Sequence, residues 1–382
     1  GEKILNTWFQ RKKIEKEPNY SYAAASLLTN CIYKEVFREG VDSDAFSLQY
    51  RKSFIQNIKK LVKLNRLNPK LLDFDLKRLA EAIKIRRDKT FKYLGIQTLH
   101  DRYFIRNENK IMEAPQSFWM RVAMGLSINE KNKNKKAIEF YNLMSEFRYT
   151  PSTPTLFNSG TIHSQLSSCY LNTFDDSIDG IFDGAWQEAR KSKFAGGLGL
   201  DVTPFRSTGS HIEGTNGISS GLVPWLKIFN DLLIAVNQGG KRPGAGCAYL
   251  EPWHLDFEDF LNLRRNTGDD RLRCHDMNTA SWIPDEFMRR VQNEDVWYFF
   301  DPSEVDLHDC FGVEFDKKYN KLCNQAEEGL IKNYRTTPAK DLWKKMLKVL
   351  FETSHPWNTF KDPCNIRYTN QHEGTVHSSN LC

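Results

Sequence analysis

From about residue 150 onward, short apolar segments alternate with segments of helical periodicity, and this alternation constrains the fold more than any other feature. CYLNTF (169–174) and GLGLDVTPF (197–205) have the length and composition of strands. Between them, Asp176 and Ser177 can cap a helix whose apolar face is predicted to consist of Ile178, Ile181, Ala185 and Ala189. Strands that alternate with helices are typical of an α/β architecture with parallel strand pairing. We therefore predict an α/β domain over residues 151–382.

The first 150 residues have a different pattern, because their apolar residues recur at helical spacing without strand-like segments between them. One stripe starts at Leu72, a second follows Pro115, and a third starts at Ala137. The stripes are Leu72, Leu76, Leu79 and Ile83; Phe118, Val122 and Leu126; and Ala137, Tyr141 and Met144. A segment rich in Pro, Ser, Thr and Gly, TPSTPTLFNSGT (150–161), then marks loops or turns. We predict a helical N-terminal region over residues 1–150.

Composition excludes several classes of protein. The hydrophobic fraction of 40% and the 25 Phe residues are sufficient for a sizeable core. The net charge of +6 over 382 residues is mild, so it suits a phosphate-bearing small molecule better than a nucleic acid polymer. No apolar stretch has the length of a membrane span, and the N-terminus has no apolar signal core. We expect a cytoplasmic protein whose eight cysteines are largely reduced.

Two glycine-rich segments could approach an anion. AGGLG (195–199) could act as a phosphate cradle or form a tight helix-to-strand turn. The residues favour the turn, because they match neither a Walker loop nor a Rossmann fingerprint. Lys241 and Arg242 lie among glycines after the helical segment 224–236, where they could bind phosphate or form an exposed turn.

Potential metal ligands and a terminal cysteine complete the candidates. The segment 251–282 has several ligand-type residues without a recognised spacing, so we assign no metal to them. They are His254, Asp256, Glu258, Cys274, His275 and Asp276. In the last residues, HSSNLC, Asn380 and Cys382 would project to the same side of a strand. His377 lies five residues before Cys382, which is not a specific nucleophile–base arrangement.

Nine motifs occur together and in the same order as in one known family. They are TPTLFNSGT, QLSSCYL, DDSIDGI, KFAGGLGLD, FRSTGSHIEGTNG, NQGGKRPGA, EPWHLDFEDFL, NTGDD and SSNLC. From about Asn19 to Cys382 the chain resembles the catalytic large (alpha) subunit of class I ribonucleotide reductase. The resemblance implies a helical N-terminal region followed by the first part of a ten-stranded α/β barrel. It also implies that the catalytic cysteine lies on a loop at the centre of the barrel.

The resemblance implies a radical mechanism that supplies deoxyribonucleotides for DNA replication. Cys382, as a thiyl radical, would abstract the 3′ hydrogen of a ribonucleoside diphosphate. Cys169 would supply reducing equivalents, and Asn380 would hydrogen-bond the ribose. The positions that match substrate contacts are Thr153, Ser168, Cys169, Gly197 and Asn380. The implied partners are a metal-containing small subunit that supplies the radical, and thioredoxin or glutaredoxin as the reductant.

The resemblance also implies a specificity site for a dNTP or ATP effector. Its matching residues are Asp176, Ser177, Ile178, Lys193, Arg206, Glu213 and Gly214. The segments 177–191 and 224–236 match the helices of a homodimer interface. A loop that matches 239–246 links effector binding to substrate choice. Its residues include Gly240, Lys241, Arg242, Pro243 and Gly244.

Several family features are not recognised in this chain. They are the carboxylate base two residues after the radical cysteine, the redox partner of Cys169, the paired tyrosines, the second half-barrel and the shuttle cysteines. The N-terminal ATP cone is also not recognised, and PNYSYAAASLL (18–28) resembles its usual linker. We expect completion by a separate or spliced C-terminal half. The alternatives are an effector-binding and dimerisation module without catalysis, and part of a cobalamin-dependent reductase.

Overall fold

The computed structural model describes residues 13–37, 45–194, 196–212, 214–236 and 244–380. The chain divides into two compact units, Gly1–Ser167 and Ser168–Cys382. No helix among the described residues is both long enough and apolar enough to cross a bilayer.

The boundary between the units follows residue 167, whereas the sequence pattern placed it after residue 150. The intervening segment belongs to the first unit because it is hydrogen-bonded there. Ser159 Oγ donates to the carbonyl oxygen of Val122 at 2.7 Å, and buried Arg121 donates to the carbonyl oxygen of Ser159 at 2.8 Å. The Pro- and Ser-rich segment therefore lies within the first unit, and Thr153–Asn158 form a short helix there instead of the predicted loop.

The first unit is mainly helical, as predicted. Its helices are α1 (Tyr20–Phe37), α2 (Phe46–Lys63), α3 (Leu76–Ala82), α4 (Tyr93–Thr98), α5 (Pro115–Leu126), α6 (Lys133–Ser145) and α7 (Thr153–Asn158). Short 3-10 helices span Pro69–Asp73 and Ile85–Thr90, and a π-helical turn spans Leu99–Tyr103. The strands β1 (Arg106–Asn107) and β2 (Lys110–Ile111) form an antiparallel pair.

Two of the three predicted apolar stripes are confirmed, in α5 and α6. The stripe that starts at Leu72 is broken, because Leu72 belongs to a 3-10 helix and is 44% exposed. Phe74 is extended, and Asp75 then caps α3 by accepting from the Arg78 N–H at 3.1 Å. A side chain that competes for backbone N–H groups favours a new helix start at this point.

The second unit alternates strands with helices. Its elements are β3 (Cys169–Thr173), α8 (Ile178–Lys193), β4 (Gly197–Asp201), β5 (Thr208–Ile212), β6 (Gly217–Ser220), α9 (Leu222–Ala235), β7 (Gly246–Leu250), α10 (Phe257–Leu261), β8 (Asn278–Ile283), α11 (Asp285–Asn293), β9 (Val296–Phe300), α12 (Gly312–Glu327), β10 (Tyr334–Pro338), α13 (Ala339–Thr353), β11 (Trp357–Phe360) and α14 (Lys361–Arg367). Short 3-10 helices span Asp270–Leu272 and Gln371–Glu373.

Five of these strands form a parallel sheet in the order β3-β4-β7-β8-β11, which is also their order along the chain. Strands β5 and β6 form an antiparallel hairpin, and β9 pairs with β10 antiparallel. The predicted α/β class with parallel pairing is confirmed. Both segments predicted as strands, 169–174 and 197–205, begin with strands of this sheet.

The two faces of the parallel sheet differ in what covers them. Leu198, Leu200 and Leu250 face a large core that includes residues of α8 and α9. On the other face, here called the inner face, Cys247, Tyr249, Ala280 and Trp282 form a separate small cluster with Val376. Side chains alternate along a strand, and Gly199 pairs with Leu171 and Cys247. Cys169, Leu171 and Gly199 therefore also lie on the inner face.

Candidate active site

The terminal segment, defined as residues 375–380, crosses the inner face of the sheet. Its closest approach is at Gly199 in β4, where an added Cβ atom would lie 2.0 Å from the carbonyl oxygen of Ser379. Any larger residue at this position would displace backbone, so the crossing requires glycine. The Tyr249 hydroxyl donates to the carbonyl oxygen of Asn380 at 3.4 Å, from the neighbouring strand β7.

The start of the terminal segment is held by a buried amide side chain. Asn365, in α14, donates from Nδ2 to the carbonyl oxygen of Val376 at 2.9 Å and accepts from the Val376 N–H at 2.7 Å. Thr375 Oγ1 donates to the carbonyl oxygen of Asp309 at 2.8 Å. Because α14 directly follows strand β11, these bonds fix the segment relative to the sheet.

The asparagine predicted to contact ribose has a free donor. The Nδ2 atom of Asn380 is buried and has no hydrogen-bond partner among the described residues. Buried amide groups are usually paired, so an unpaired donor on this face is available to a ligand. Cys382, the predicted radical residue, lies outside the described residues.

Cys169 is the first residue of β3 and is exposed on the same inner face. It pairs with Gly197, while Leu171 pairs with Gly199, where the terminal segment crosses. At the usual strand rise, Cys169 is about 7 Å along β3 from Leu171. The structure therefore places Cys169 and Asn380 on one face of one sheet, as the predicted chemistry requires.

The cysteines of the second unit differ in their chemical state. Burial raises the pKa of the Cys247 thiol to about 12 and that of the Cys274 thiol to about 11. Both thiols therefore stay protonated at neutral pH and are poor nucleophiles. Cys169 and Cys364 are exposed, and all described cysteines are free thiols. Cys247 shares the inner face with Cys169, but only Cys169 is accessible.

The remaining predicted substrate contacts occupy both units. In the second unit, the Gly197 N–H donates to the carbonyl oxygen of Ser168 at 2.7 Å, just before Cys169. The Gly196 N–H donates to the carbonyl oxygen of Lys191 at 3.1 Å, and β4 begins at Gly197, so the described part of 195–199 matches the predicted helix-to-strand turn. Thr153 begins α7 in the first unit, where its Oγ1 lies 3.0 Å from the Tyr103 hydroxyl oxygen.

The predicted effector residues lie mainly at the N-terminus of α8. Arg206 donates from Nε to the Asp176 carboxylate at 2.5 Å and from Nη2 to the Asp176 carbonyl oxygen at 3.3 Å. Ser177 caps α8 by accepting from the Gly180 N–H at 3.0 Å. An added Cβ at Gly214 would meet no atom within 4 Å, so this position is open. Glu213 lies outside the described residues.

Lys193 is separated from the other effector residues of the same chain. It ends the 16-residue helix α8, so it lies about 22 Å from Ile178 at the helical rise of 1.5 Å per residue. Within one chain, α8 therefore keeps Lys193 away from the cap at Ser177.

Helix α8 has two apolar faces. Ile181 and Ala185 are buried as predicted, but Ile178 is not part of that face, because it is 67% exposed. Ile178, Phe182 and Trp186 recur every four residues and form an exposed stripe. The predicted segments 177–191 and 224–236 correspond to α8 and α9, whose bounds differ by two or fewer residues.

The predicted specificity loop is described only at its end. Gly240, Lys241, Arg242 and Pro243 lie outside the described residues. Gly244 packs closely on α9, because an added Cβ would lie 2.6 Å from the carbonyl oxygen of Leu233. The end of the loop therefore contacts α9 just before strand β7. The next residue of α9, Ile234, is apolar and exposed.

His254 and Asp256, two of the residues considered as metal ligands in the segment 251–282, have structural roles. His254 Nε2 lies 2.7 Å from the carbonyl oxygen of Phe205, and its Nδ1 accepts from the Asp256 N–H at 3.0 Å. The Asp256 carboxylate accepts from the N–H groups of Thr208 and Leu222. Both side chains are fully engaged in fixing backbone around the β5–β6 hairpin.

Sequence reasoning missed a buried ion pair and a cluster next to the terminal segment. Lys361 and Glu251 are both fully buried, with Nζ and Oε1 2.7 Å apart. Asp201, His308 and His377 converge from three separate segments. No local spacing connects these residues, since 107 positions separate Asp201 from His308.

Comparison with known proteins identifies the family. Residues 167–382 match the ribonucleotide reductase barrel domain, and residues 89–164 match the ribonucleotide reductase all-alpha domain. The chain belongs to the ribonucleotide reductase family.

Three relatives illustrate the similarity. The chain is 53% identical over 374 residues to the ribonucleoside-diphosphate reductase subunit alpha of Chlamydia muridarum. The aligned region covers 97% of the chain and 36% of the relative. It is 42% identical to the subunit alpha of Helicobacter pylori, over 96% of the chain and 45% of the relative. It is 40% identical to the large chain of Schizosaccharomyces pombe, over 96% of the chain and 44% of the relative. These names give no support to the cobalamin-dependent alternative.

The chain thus spans less than half of the length of these relatives. The family assignment covers both units of the structure, whereas the roles of individual residues rest on the geometry described above.

The difference between the thiols predicts their order of alkylation. With iodoacetamide at neutral pH, Cys169 and Cys364 should react at least about 100-fold faster than Cys247 and Cys274, because the last two thiols are buried and burial raises their pKa to about 12 and about 11. Peptide mass spectrometry over a time course measures each rate. In urea all four should react at similar rates. Equal rates for Cys247 and Cys364 in the folded chain would contradict the assignment.

Proposed function

We propose that this chain forms the substrate- and effector-binding part of a ribonucleoside-diphosphate reductase large subunit. The reaction is the reduction of ribonucleoside diphosphates to deoxyribonucleoside diphosphates by thiyl-radical chemistry. The observation that supports this most strongly is the crossing of the inner face by the terminal segment. This crossing supports the proposal because Asn380, whose buried Nδ2 has no partner among the described residues, lies on the face that carries the exposed Cys169.

In the proposed reaction, Cys382 carries the thiyl radical and takes the 3′ hydrogen atom of the ribose. It follows Asn380 by two residues, so the chain keeps it within about 7 Å of that residue. Asn380 donates from Nδ2 to a ribose hydroxyl and orients the sugar. The 2′ carbon–oxygen bond then breaks, and the hydroxyl leaves as water with a proton from a thiol. Cys169 and a second thiol supply the hydrogen that replaces the hydroxyl on the 2′ carbon and are together oxidised to a disulfide. Cys382 finally returns the 3′ hydrogen atom.

The proposed reaction requires partners. An oxidising equivalent from a metal-containing small subunit generates the Cys382 radical. Thioredoxin or glutaredoxin returns two electrons to the oxidised thiols. The relatives carry further polypeptide beyond the matched part, and we call a large subunit that combines this chain with that polypeptide the completed subunit. The free thiols of the described cysteines support a reducing compartment, the cytoplasm.

Effector binding is proposed at the Asp176–Arg206 end of α8, with a dNTP or ATP as the ligand. Two copies of α8 that pair antiparallel about a two-fold axis would bury the exposed stripe of Ile178, Phe182 and Trp186. The same pairing brings Lys193 of the partner subunit towards Ser177. A lysine from the second copy would thus reach the site that Lys193 of the same chain, about 22 Å away along α8, cannot reach. A triphosphate would then contact cationic groups from both copies.

A second candidate function is an effector-binding and dimerisation module without catalysis. The exposed stripe on α8 supports it, because this feature serves dimerisation whether or not the chain takes part in turnover. The two functions differ in one respect, since only the reductase needs the terminal segment on the inner face. A variant that disturbs this crossing therefore separates them.

Gly199→Ala should disturb the crossing, because its Cβ would meet the carbonyl oxygen of Ser379 at 2.0 Å. Such overpacking costs about 1–3 kcal/mol and shifts the segment that carries Asn380. In the completed subunit, we expect reductase activity to fall by about tenfold to 100-fold, with dNTP affinity unchanged. Activity assays and calorimetry measure the two quantities.

Gly95→Ala is the matched control, because its Cβ would make only an ordinary contact at 3.7 Å. Its activity should equal that of the wild type. Asn380→Ala keeps the backbone and removes only the amide, and it should also lose activity. If both Gly199→Ala and Asn380→Ala retained full activity, the reductase proposal would be wrong.

The stripe on α8 predicts how dimerisation can be disrupted. Trp186→Glu places a charge in the proposed interface and should weaken dimerisation by at least about 30-fold, the equivalent of about 2 kcal/mol. Sedimentation velocity over a concentration series measures the dissociation constant. Phe351→Glu is the control, because Phe351 is 93% exposed on α13, away from the stripe. Equal effects of the two substitutions would exclude α8 as the dimer helix.

A further inference from the structure

Three metal-ligating side chains meet beside the terminal segment. Asp201 ends strand β4, His308 lies between β9 and α12, and His377 belongs to the terminal segment. One carboxylate oxygen and one nitrogen from each imidazole all lie within 4.8 Å of one another. Asp201 is fully buried, and the side chains of His308 and His377 are only 19% and 13% exposed.

We propose that Asp201, His308 and His377 bind a divalent first-row transition metal ion such as Zn²⁺, and that this ion fastens the terminal segment to the end of β4. Two imidazole nitrogens and one carboxylate oxygen are a ligand set that zinc commonly takes, with a fourth position left for water. The proposal does not depend on the reductase activity proposed above.

His377 has the hydrogen-bonding pattern of a metal ligand. Its Nε2 lies 3.0 Å from the Asp309 carboxylate, whereas its Nδ1 is buried and has no partner among the described residues. Histidine ligands usually donate their second N–H to a carboxylate, which orients the ring and raises its basicity. A buried nitrogen without a partner is costly unless a ligand occupies it. Nδ1 is therefore the atom that faces the proposed ion.

His308 and Asp201 are also held by surrounding groups. His308 Nε2 lies 2.6 Å from Asp201 Oδ2, so the two atoms share a hydrogen bond. A bound ion would replace the proton of this hydrogen bond. Lys361 Nζ donates to the carbonyl oxygen of His308 at 2.8 Å and fixes its backbone. The Thr203 N–H donates to Asp201 Oδ1 at 3.1 Å. These contacts preorganise the two ligands from the buried side.

Binding requires a small rearrangement. The rings of His308 and His377 are stacked, with centroids 3.7 Å apart and planes inclined by 12°. Ligand atoms around one tetrahedral zinc ion lie about 3.3 Å apart. His308 Nε2 and Asp201 Oδ2, now 2.6 Å apart, must therefore separate slightly, and the rings must tilt so that a nitrogen of His377 faces the same point. Rotation about side-chain bonds is sufficient, because the three segments already meet here.

The location gives the ion a structural role. His377 precedes Asn380 by three residues, and Asp201 follows Gly199 by two. The ion would therefore bridge the two chain segments that touch where the terminal segment crosses the sheet. It would act together with Asn365, which holds the segment at Val376. A metal clip of this kind restricts the position of the Asn380 amide without contacting the substrate.

The test uses this chain, stripped of metal by a chelator, and Zn²⁺ or Co²⁺ alone as the probe. Calorimetry should show one equivalent bound to the wild type, and His308→Ala and His377→Ala should each weaken binding by about 100-fold or more. His372→Ala is the control, because that side chain is 73% exposed near the terminal segment, and it should bind as the wild type does. Zn²⁺ should raise the melting temperature of the wild type and of His372→Ala, but not of the other two variants.

The Co²⁺ absorption spectrum identifies the ligands directly. Tetrahedral nitrogen and oxygen coordination without a thiolate charge-transfer band supports the site, and this readout remains decisive if either histidine variant fails to fold. A thiolate band would assign the metal to cysteines instead and would overturn the proposal. Absence of stoichiometric binding, or equal affinity in all variants, would overturn the proposal. The three side chains would then only hydrogen-bond with one another.

Discussion

The second unit depends on one steric constraint: the terminal segment crosses the parallel sheet at a position where no side chain fits. Gly199 lies in the middle of β4, and the carbonyl oxygen of Ser379 occupies the space of its missing Cβ. Hydrogen bonds from Asn365 and Tyr249 also hold the segment. Glycine weakens a strand, so its presence in a buried central strand is explained by the backbone that it admits.

The same crossing explains why the two faces of the sheet differ. One face is covered by helices and belongs to the large core, as parallel sheets require. The inner face carries a smaller apolar cluster, exposed Cys169 and Asn380, whose amide nitrogen has no partner in the part of the chain that the structure describes. Polar groups of this kind belong at a ligand site, because a packed core would leave them without partners.

The sequence predicted the elements of this arrangement better than their contacts. The parallel α/β class, strands β3 and β4 and the Ser177 cap followed from periodicity and capping rules, which act over a few residues. Leu72 was assigned to a helix that begins only after Asp75, because a side-chain cap competes with a continuous apolar stripe. Ile178 was assigned to the buried face of α8, because periodicity cannot distinguish a core stripe from an interface stripe.

Long-range contacts could not be predicted in this way. The bonds between Asn365 and Val376, and the cluster of Asp201, His308 and His377, join residues that only the fold brings together. The proposed roles of Cys169 and Asn380 came from the family resemblance, and the structure adds that they share one face. Residue type and spacing alone left both as ordinary strand and loop residues.

The most direct test of this account is amide hydrogen exchange of the terminal segment in the folded chain, measured by mass spectrometry. The Val376 N–H donates to the buried Asn365 side chain, so this amide, measured in peptides that cover 375–380, should exchange far more slowly than the same amide in an unstructured peptide of that sequence. Exchange at the rate of that unstructured peptide would show that the segment is not held on the inner face, and the proposed site would lose its basis.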